Sequence, residues 1–362
     1  MELAITPRMS EYSGFAMPKE GVTLCLLVSG AQPQLGAREA EAILGRSLTR
    51  LSNRLHIAQA HDTNELGEML QRLYDSVLLQ EAVIVKAISM NPPSGRDFYK
   101  SLAAACSWSE LKNRSFAVTV RKLGGYPSIS SMELATCVAE GIIESLEGSF
   151  RVDLEAPDVN IRLITSKDAA VLGIQVLDLR GDRHRLRSKR FKVFKHPASL
   201  TPEDAGILVN LTGWRSPLID PFCGSGTVVV EACLRGLEAV GLDIYLRAAK
   251  GACLNLALFS CSARGHIVVG DATRPPFRAG AFRAIATNPP YGRILATTEP
   301  SLGLARSMLN EGVRITARDA VYALVLPSPL NLSEEGFHIE AYPVRVHGKL
   351  TRYFTVVRRS DG

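Results

Sequence analysis

Four short apolar runs in the C-terminal half, each leading to a carboxylate or an amide, constrain this chain more than any other feature. Residues 217–219 lead to Asp220, 239–242 to Asp243, 267–270 to Asp271 and 282–286 to Asn288. Runs of this kind read as buried strands, and in open α/β sheets ligands bind at the carboxyl ends of the strands. Asp220 is followed by Pro221-Phe222-Cys223-Gly224-Ser225-Gly226 and then by an apolar helix over 227–234. Glycines after a strand let the backbone approach a ligand, and the helix N-terminus presents free N–H groups to it. A dinucleotide site needs a third glycine where this chain has Val229, so the turn suits a cofactor without a pyrophosphate, such as S-adenosylmethionine. Asp243 is placed to accept both ribose hydroxyls, and Asp271 to accept the adenine amino group with Ala272 beside the ring.

The tetrapeptide Asn288-Pro289-Pro290-Tyr291 suggests the chemistry. An exocyclic amine on a nucleobase is flat and weakly nucleophilic, so it must be oriented rather than simply deprotonated. The Asn288 side-chain carbonyl and the Pro289 backbone carbonyl are two acceptors for its hydrogens, which aims the lone pair at an electrophilic methyl. Two consecutive prolines stiffen the loop and contribute no N–H. Tyr291 supplies a ring on which an extruded base can stack. Asn91-Pro92-Pro93-Ser94 repeats three of the letters without the ring and without a preceding glycine turn, and reads as a turn.

At 362 residues the chain is long enough for two or three domains, and 46% hydrophobic content supports several cores. The formal charge of +6 favours an anionic partner. Seven cysteines without a C-x-x-C pair form neither a disulfide framework nor a zinc site, and Cys223, Cys233, Cys253 and Cys261 read as small buried hydrophobes. With no bilayer-length apolar stretch and no N-terminal signal, the expectation is a cytoplasmic monomer without metal.

The N-terminal half reads as strands over 22–28, 55–60 and 82–88 with helices over 35–44 and 65–79, which makes a small α+β unit. Further on, 116–120 is a strand followed by Arg121 and Lys122. Ser130-Ser131-Met132-Glu133 is a capping box opening a helix to about Leu146, and 159–163 and 170–177 are strands. These segments, with Asp158-Val159-Asn160-Ile161-Arg162, resemble the THUMP module of RNA-modifying enzymes. The basic stretch over 180–195, including Arg187, Lys189, Arg190 and Lys195, favours phosphate contact. Thr201-Pro202-Glu203-Asp204 then opens a helix with Thr as N-cap and Pro at N1.

Residues 194–202 ahead of the glycine turn, together with Val346-His347-Gly348-Lys349-Leu350-Thr351-Arg352, resemble the THUMP-containing tRNA guanosine N2-methyltransferases of archaea and eukaryotes. The resemblance implies an α/β protein. It would have a ferredoxin-like domain over 1–92, a THUMP domain gripping tRNA over 93–180, a basic linker over 181–200 and a Rossmann-like methyltransferase domain over 201–362. It carries cofactor-binding roles onto Asp220, Gly224, Gly226, Asp243, Asp271 and Asn288, and catalysis onto Asn288, Pro289, Pro290 and Tyr291. Arg121, Lys122 and the 180–195 stretch are the expected RNA contacts. Relatives acting at guanosine 10 carry Asp at the first motif position and those acting at guanosine 6 carry Asn, yet Leu24-Cys25-Leu26-Leu27-Val28-Ser29-Gly30 is more like the position-10 group. Position 10 is the expectation, with one or two methyl groups added. A DNA or protein-glutamine methyltransferase, a catalytically silent tRNA-binding protein and an oxidoreductase are the alternatives. Glu231 is left either hydrogen-bonding the methionine moiety of the cofactor or facing solvent, and His184 and His196 are given no catalytic role.

Overall fold

The computed structural model describes residues 21–146, 150–181, 192–194, 199–290, 299–330, 336–347 and 350–360, with backbone alone for 299–306, 347 and 350. The chain forms two compact units: residues up to 37 with 46–75 and 79–180, and residues 181–362 with 38–45 and 76–78.

The first stretch runs β1 (Val22–Val28), α1 (Pro33–Leu44), β2 (Thr49–Arg50), β3 (Leu55–Ala60), α2 (Thr63–Leu73) and β4 (Leu79–Met90). It continues through α3 (Arg96–Ala104), β5 (Ser115–Lys122), α4 (Ser131–Ser145), β6 (Arg151–Val152), β7 (Val159–Thr165) and β8 (Ala169–Asp178). These strands form one eight-stranded sheet in the order β2-β3-β1-β4-β8-β7-β5-β6. β4 pairs antiparallel with β8 from Glu81↔Asp178 to Met90↔Ala169, so the segments expected on either side of residue 92 share a continuous sheet.

Three of the letters that carried the THUMP resemblance have a mechanical task. Ser130 accepts the Glu133 N–H at 3.1 Å and caps α4. Asp158 accepts both the N–H and the hydroxyl of Ser115 at 2.7 Å, fixing the start of β7 against β5. Arg162 on β7 donates to the fully buried Glu81 on β4 through Nε at 2.6 Å and Nη2 at 2.7 Å. Such a fork satisfies both carboxylate oxygens, the condition under which a buried ion pair is tolerated.

The second unit contains α5 (Pro202–Leu211), β9 (Leu218–Asp220), α6 (Thr227–Leu234), β10 (Ala239–Asp243), α7 (Leu246–Leu258), β11 (Gly265–Val269) and β12 (Phe282–Thr287). α8 (Glu299–Ile315), β13 (Thr316–Leu326), β14 (Phe337–His347) and β15 (Leu350–Arg359) complete it. The seven-stranded sheet has the order β11-β10-β9-β12-β13-β15-β14, parallel from β11 to β13 and closed by two antiparallel pairs. Ile219, Ile285, Met308, Leu309, Tyr322 and Leu324 form a core cluster of this unit. α6 contains three successive valines, which disfavour a helix on their own; it is helical because every residue from Thr227 to Cys233 is buried, so packing overrides propensity.

α2 stops six residues short of its expected end at 79. The segment after it, Ser76–Leu78, belongs to the second unit and is bound to the fully buried Glu39. The Ser76 hydroxyl donates to Glu39 at 2.7 Å, and the Val77 and Leu78 N–H groups at 3.0 and 2.8 Å. Asn210 on α5 donates a fourth bond at 2.7 Å. Four neutral donors thus compensate one buried carboxylate. Removing it takes away the acceptor of all four bonds, and a buried donor left without an acceptor costs about 1–3 kcal/mol. Glu39→Ala is therefore expected to lower unfolding stability by about 3 kcal/mol or more, with Glu39→Gln losing less, measured by urea denaturation. A loss below about 1 kcal/mol for the alanine variant would contradict this account.

Candidate active site

Parallel pairing brings the carboxyl ends of β11, β10, β9 and β12 to one edge of the sheet, and the strand order reverses between β9 and β12. Neighbouring loops diverge at such a reversal and leave a crevice. The glycine turn leaves β9 on one side of it, and the loop beginning at Asn288 leaves β12 on the other.

Gly224 and Gly226 have φ of +52° and +76°, in the left-handed region that side-chain-bearing residues rarely enter. A Cβ placed on Gly224 would meet no atom within 4 Å, so the turn faces open space that a side chain would fill. Asp243 at the end of β10 accepts the Gly224 N–H through Oδ2 and the Tyr245 N–H through Oδ1, both at 2.9 Å. Each oxygen keeps a lone pair for a further donor, such as a ribose hydroxyl. Asp271 accepts the Thr273 N–H and hydroxyl at 2.8 Å, both on Oδ1, which makes it a turn residue with its second oxygen uncommitted to these bonds. Ala272 is buried beside it.

Asp220 is the electrostatically unusual residue. It is 2% exposed, and its Oδ1 accepts the Thr287 hydroxyl at 2.6 Å and the Phe222 N–H at 3.1 Å. Oδ2 has no donor among the described residues. Burial pushes its pKa up to about 7; the hydrogen bonds from Thr287 and Phe222 oppose the rise, and the charge of Asp243 adds to it. Across the crevice Asn288 is half-buried, Pro289 buried and Pro290 exposed. Tyr291 lies outside the described residues.

A second set of contacts backs the glycine turn. Asn255 on α7 is fully buried; its Nδ2 donates to the Ser225 carbonyl at 2.9 Å and to the Phe194 carbonyl at 3.0 Å, and its Oδ1 accepts the Phe194 N–H at 3.1 Å. Lys192 is buried with its Nζ 2.5 Å from Thr227 Oγ1. A Cβ on Gly251 would lie 2.1 Å from the Phe194 ring, so that close approach requires glycine.

The comparisons with known proteins agree with this architecture. Residues 98–175 match the THUMP domain and residues 189–335 the RMKL-like methyltransferase domain. A tRNA (guanine(10)-N2)-dimethyltransferase from Methanothermobacter thermautotrophicus is 31% identical over 264 residues, covering 71% of this chain and 77% of the relative. The chain belongs to the tRNA guanine-N2-methyltransferase family. Within the family, a tRNA (guanine(6)-N2)-methyltransferase from Thermus thermophilus is 30% identical over 244 residues, covering 62% of this chain and 69% of the relative. The crystal structure of TrmN from Thermus thermophilus shares the fold, with a TM-score of 0.52 and 23% identity over 93% of this chain and 99% of that one.

Asp220 and Asp243 end strands, and Gly224, Gly226, Asp271, Ala272 and Asn288 follow strands, that finish at the same edge of the sheet. In the first unit Arg121 donates to Glu81 at 3.0 Å and Gln80 at 2.7 Å, and Lys122 to the Ile129 carbonyl at 2.7 Å. Arg187, Lys189, Arg190 and Lys195 lie outside the described residues, as do His184 and His196. Glu231 follows neither of its two readings: it is buried and pairs with Arg235 at 2.8 Å, one turn along α6. Cys253 is exposed, unlike Cys223, Cys233 and Cys261. Thr287 and Asn255 escaped the sequence reading; a lone threonine between an apolar run and Asn288 was the available signal for the first. Among the described residues no cluster of three metal-ligating side chains occurs and no helix is long and apolar enough to cross a membrane.

A carboxyl whose pKa rises on folding stabilises the native state most at pH below its unfolded value, and that contribution is lost as pH climbs through the folded value. For Asp220 the loss spans the interval from 3.8 to about 7. Asp220→Asn keeps an acceptor for Thr287 and Phe222 without the buried charge. The thermal midpoint of the ligand-free protein is expected to fall, relative to this variant, as pH rises from about 4 to 8. Parallel curves for the two proteins would refute the assignment.

Proposed function

We propose that this chain transfers a methyl group from S-adenosylmethionine to the exocyclic N2 of guanosine 10 in tRNA. The observation that carries the reading is the pair of loops flanking the β9–β12 crevice, an acid-backed glycine turn on one side and Asn288-Pro289-Pro290 on the other. Bound there, the cofactor supplies a methyl group activated by an adjacent sulfonium. The residues fit such a group. Gly224 faces open space and carries no side chain to obstruct a ligand, Asp243 keeps acceptor capacity for ribose hydroxyls, and buried Asp220 offers Oδ2 to a cation or amine.

Asn288 is the catalytic residue of this reading. Its side-chain carbonyl and the Pro289 carbonyl accept the two amine hydrogens and turn the lone pair toward the donor side. Removing a guanine from its stack costs on the order of a few kcal/mol. Stacking on Tyr291 offsets part of that cost, at roughly 1–3 kcal/mol per base. The relative from Methanothermobacter and the N-terminal resemblance support position 10. Asn288 itself, the letter found in the guanosine 6 group, supports guanosine 6 as the second reading.

Incubation with labelled S-adenosylmethionine and an unmodified tRNA transcript, followed by nuclease mapping and mass spectrometry, is expected to place label on guanine N2 at position 10. Label at position 6 would favour the second reading, and tRNA binding without transfer would favour a catalytically silent protein. Asn288→Ala is expected to keep cofactor affinity within about threefold while lowering transfer at least about 100-fold. Wild-type turnover by that variant would remove Asn288 from the mechanism.

A further inference from the structure

We propose that Thr287 is a positioning residue whose hydroxyl ties the methyl-donor side of the crevice to the methyl-acceptor side. The inference rests on the functional reading above and assigns a role to a residue outside the motif. Backbone pairing between β9 and β12 ends at Ile219↔Ile285, and past that pair the strands lead into the glycine turn and the Asn288 loop. The next link across the gap among the described residues is made by side chains: the Thr287 hydroxyl donates to Asp220 Oδ1 at 2.6 Å. Both residues are at most 2% exposed, so water does not compete for the bond.

The same oxygen accepts the Phe222 N–H at 3.1 Å, and Phe222 is the second residue of the chain leaving β9. One carboxylate oxygen therefore holds both the path into the glycine turn and the residue immediately before Asn288. On its other side β12 remains paired with β13, with Thr287 opposite Leu324, so the threonine backbone is fixed and its hydroxyl registers the two lips of the crevice against that frame. A β-branched side chain suits the task because its χ1 is restricted. A weakly nucleophilic amine needs its acceptors placed closely relative to the methyl donor, and a misplacement of about 1 Å can cost about 100-fold in rate.

Two variants separate positioning from packing. Thr287→Val keeps the shape and removes the donor; Thr287→Ser keeps the donor and removes a methyl group. Single-turnover methyl transfer to tRNA at saturating cofactor is expected to fall about 10- to 100-fold in T287V and to recover most of that loss in T287S. Cofactor affinity is expected to change less than about threefold in either variant. The second readout is the Asp220 carboxyl titration followed by carbon NMR in the ligand-free protein. Loss of a hydrogen bond that favours the ionised form should move its midpoint to higher pH in T287V and leave it in place in T287S. A wild-type transfer rate in T287V would overturn the proposal, as would equal losses in the two variants. If the unaltered protein transfers no methyl group, the functional reading has failed; an unmoved Asp220 midpoint in T287V then overturns the tie itself, and a moved one upholds it.

Discussion

Everything in the second unit is arranged about a strand of three residues. β9 lies between β10 and β12, and the reversal of strand order beside it is what opens a crevice at the carboxyl edge of the sheet. A short strand has little backbone pairing with which to hold its neighbours, so side chains add to the backbone bond from the Cys223 N–H to the Leu242 carbonyl in securing the edge. Asp243 anchors the glycine turn to β10, Asn255 anchors its back to α7, and Asp220 reaches across to Thr287. Close packing adds to this: a Cβ on Gly241 would come within 2.8 Å of Cys223, so β10 passes the turn with no room for a side chain.

Three buried carboxylates are compensated in three different ways. Glu81 is neutralised by the Arg162 fork and by Arg121, within one sheet. Glu39 is solvated by four neutral donors from two separate stretches of chain. Asp220 receives two bonds on one oxygen, lies near a second carboxylate and is pushed far from its ordinary range. Under-compensation of this kind is costly to a fold and recurs where a ligand is expected to complete the set of partners. It separates the crevice from the two structural clusters without appeal to any motif.

Legibility in the sequence followed the distance between partners along the chain. The Ser130 and Thr201 caps, the glycine turn and the run from 227 to 234 were readable because each depends on residues a few positions apart. The strands ending in Asp220, Asp243 and Thr287 were readable as apolar runs, and with them the α/β class. The end of α2 was not, because the acceptor that captures Ser76–Leu78 is Glu39, nearly 40 residues earlier. The partners of Arg121 and Lys122 were hidden for the same reason: Glu81 and Gln80 are 40 and 41 positions from Arg121, and the Ile129 carbonyl is brought near by a loop. Glu231 and Cys253 sit on helices whose buried faces the apolar pattern did not resolve, since α6 is buried on every side and α7 is not.

The way the chain is shared between the two units has a bearing on its history. It passes from one to the other after residues 37, 45, 75, 78 and 180, and the two short early visits contribute Glu39 and the segment that Glu39 binds. The catalytic half is therefore not a cassette that begins at residue 181. Recombination at that junction would exchange a methyltransferase fold while leaving behind the carboxylate that holds Asn210, so a change in the front half of such a protein is inherited together with part of the catalytic scaffold.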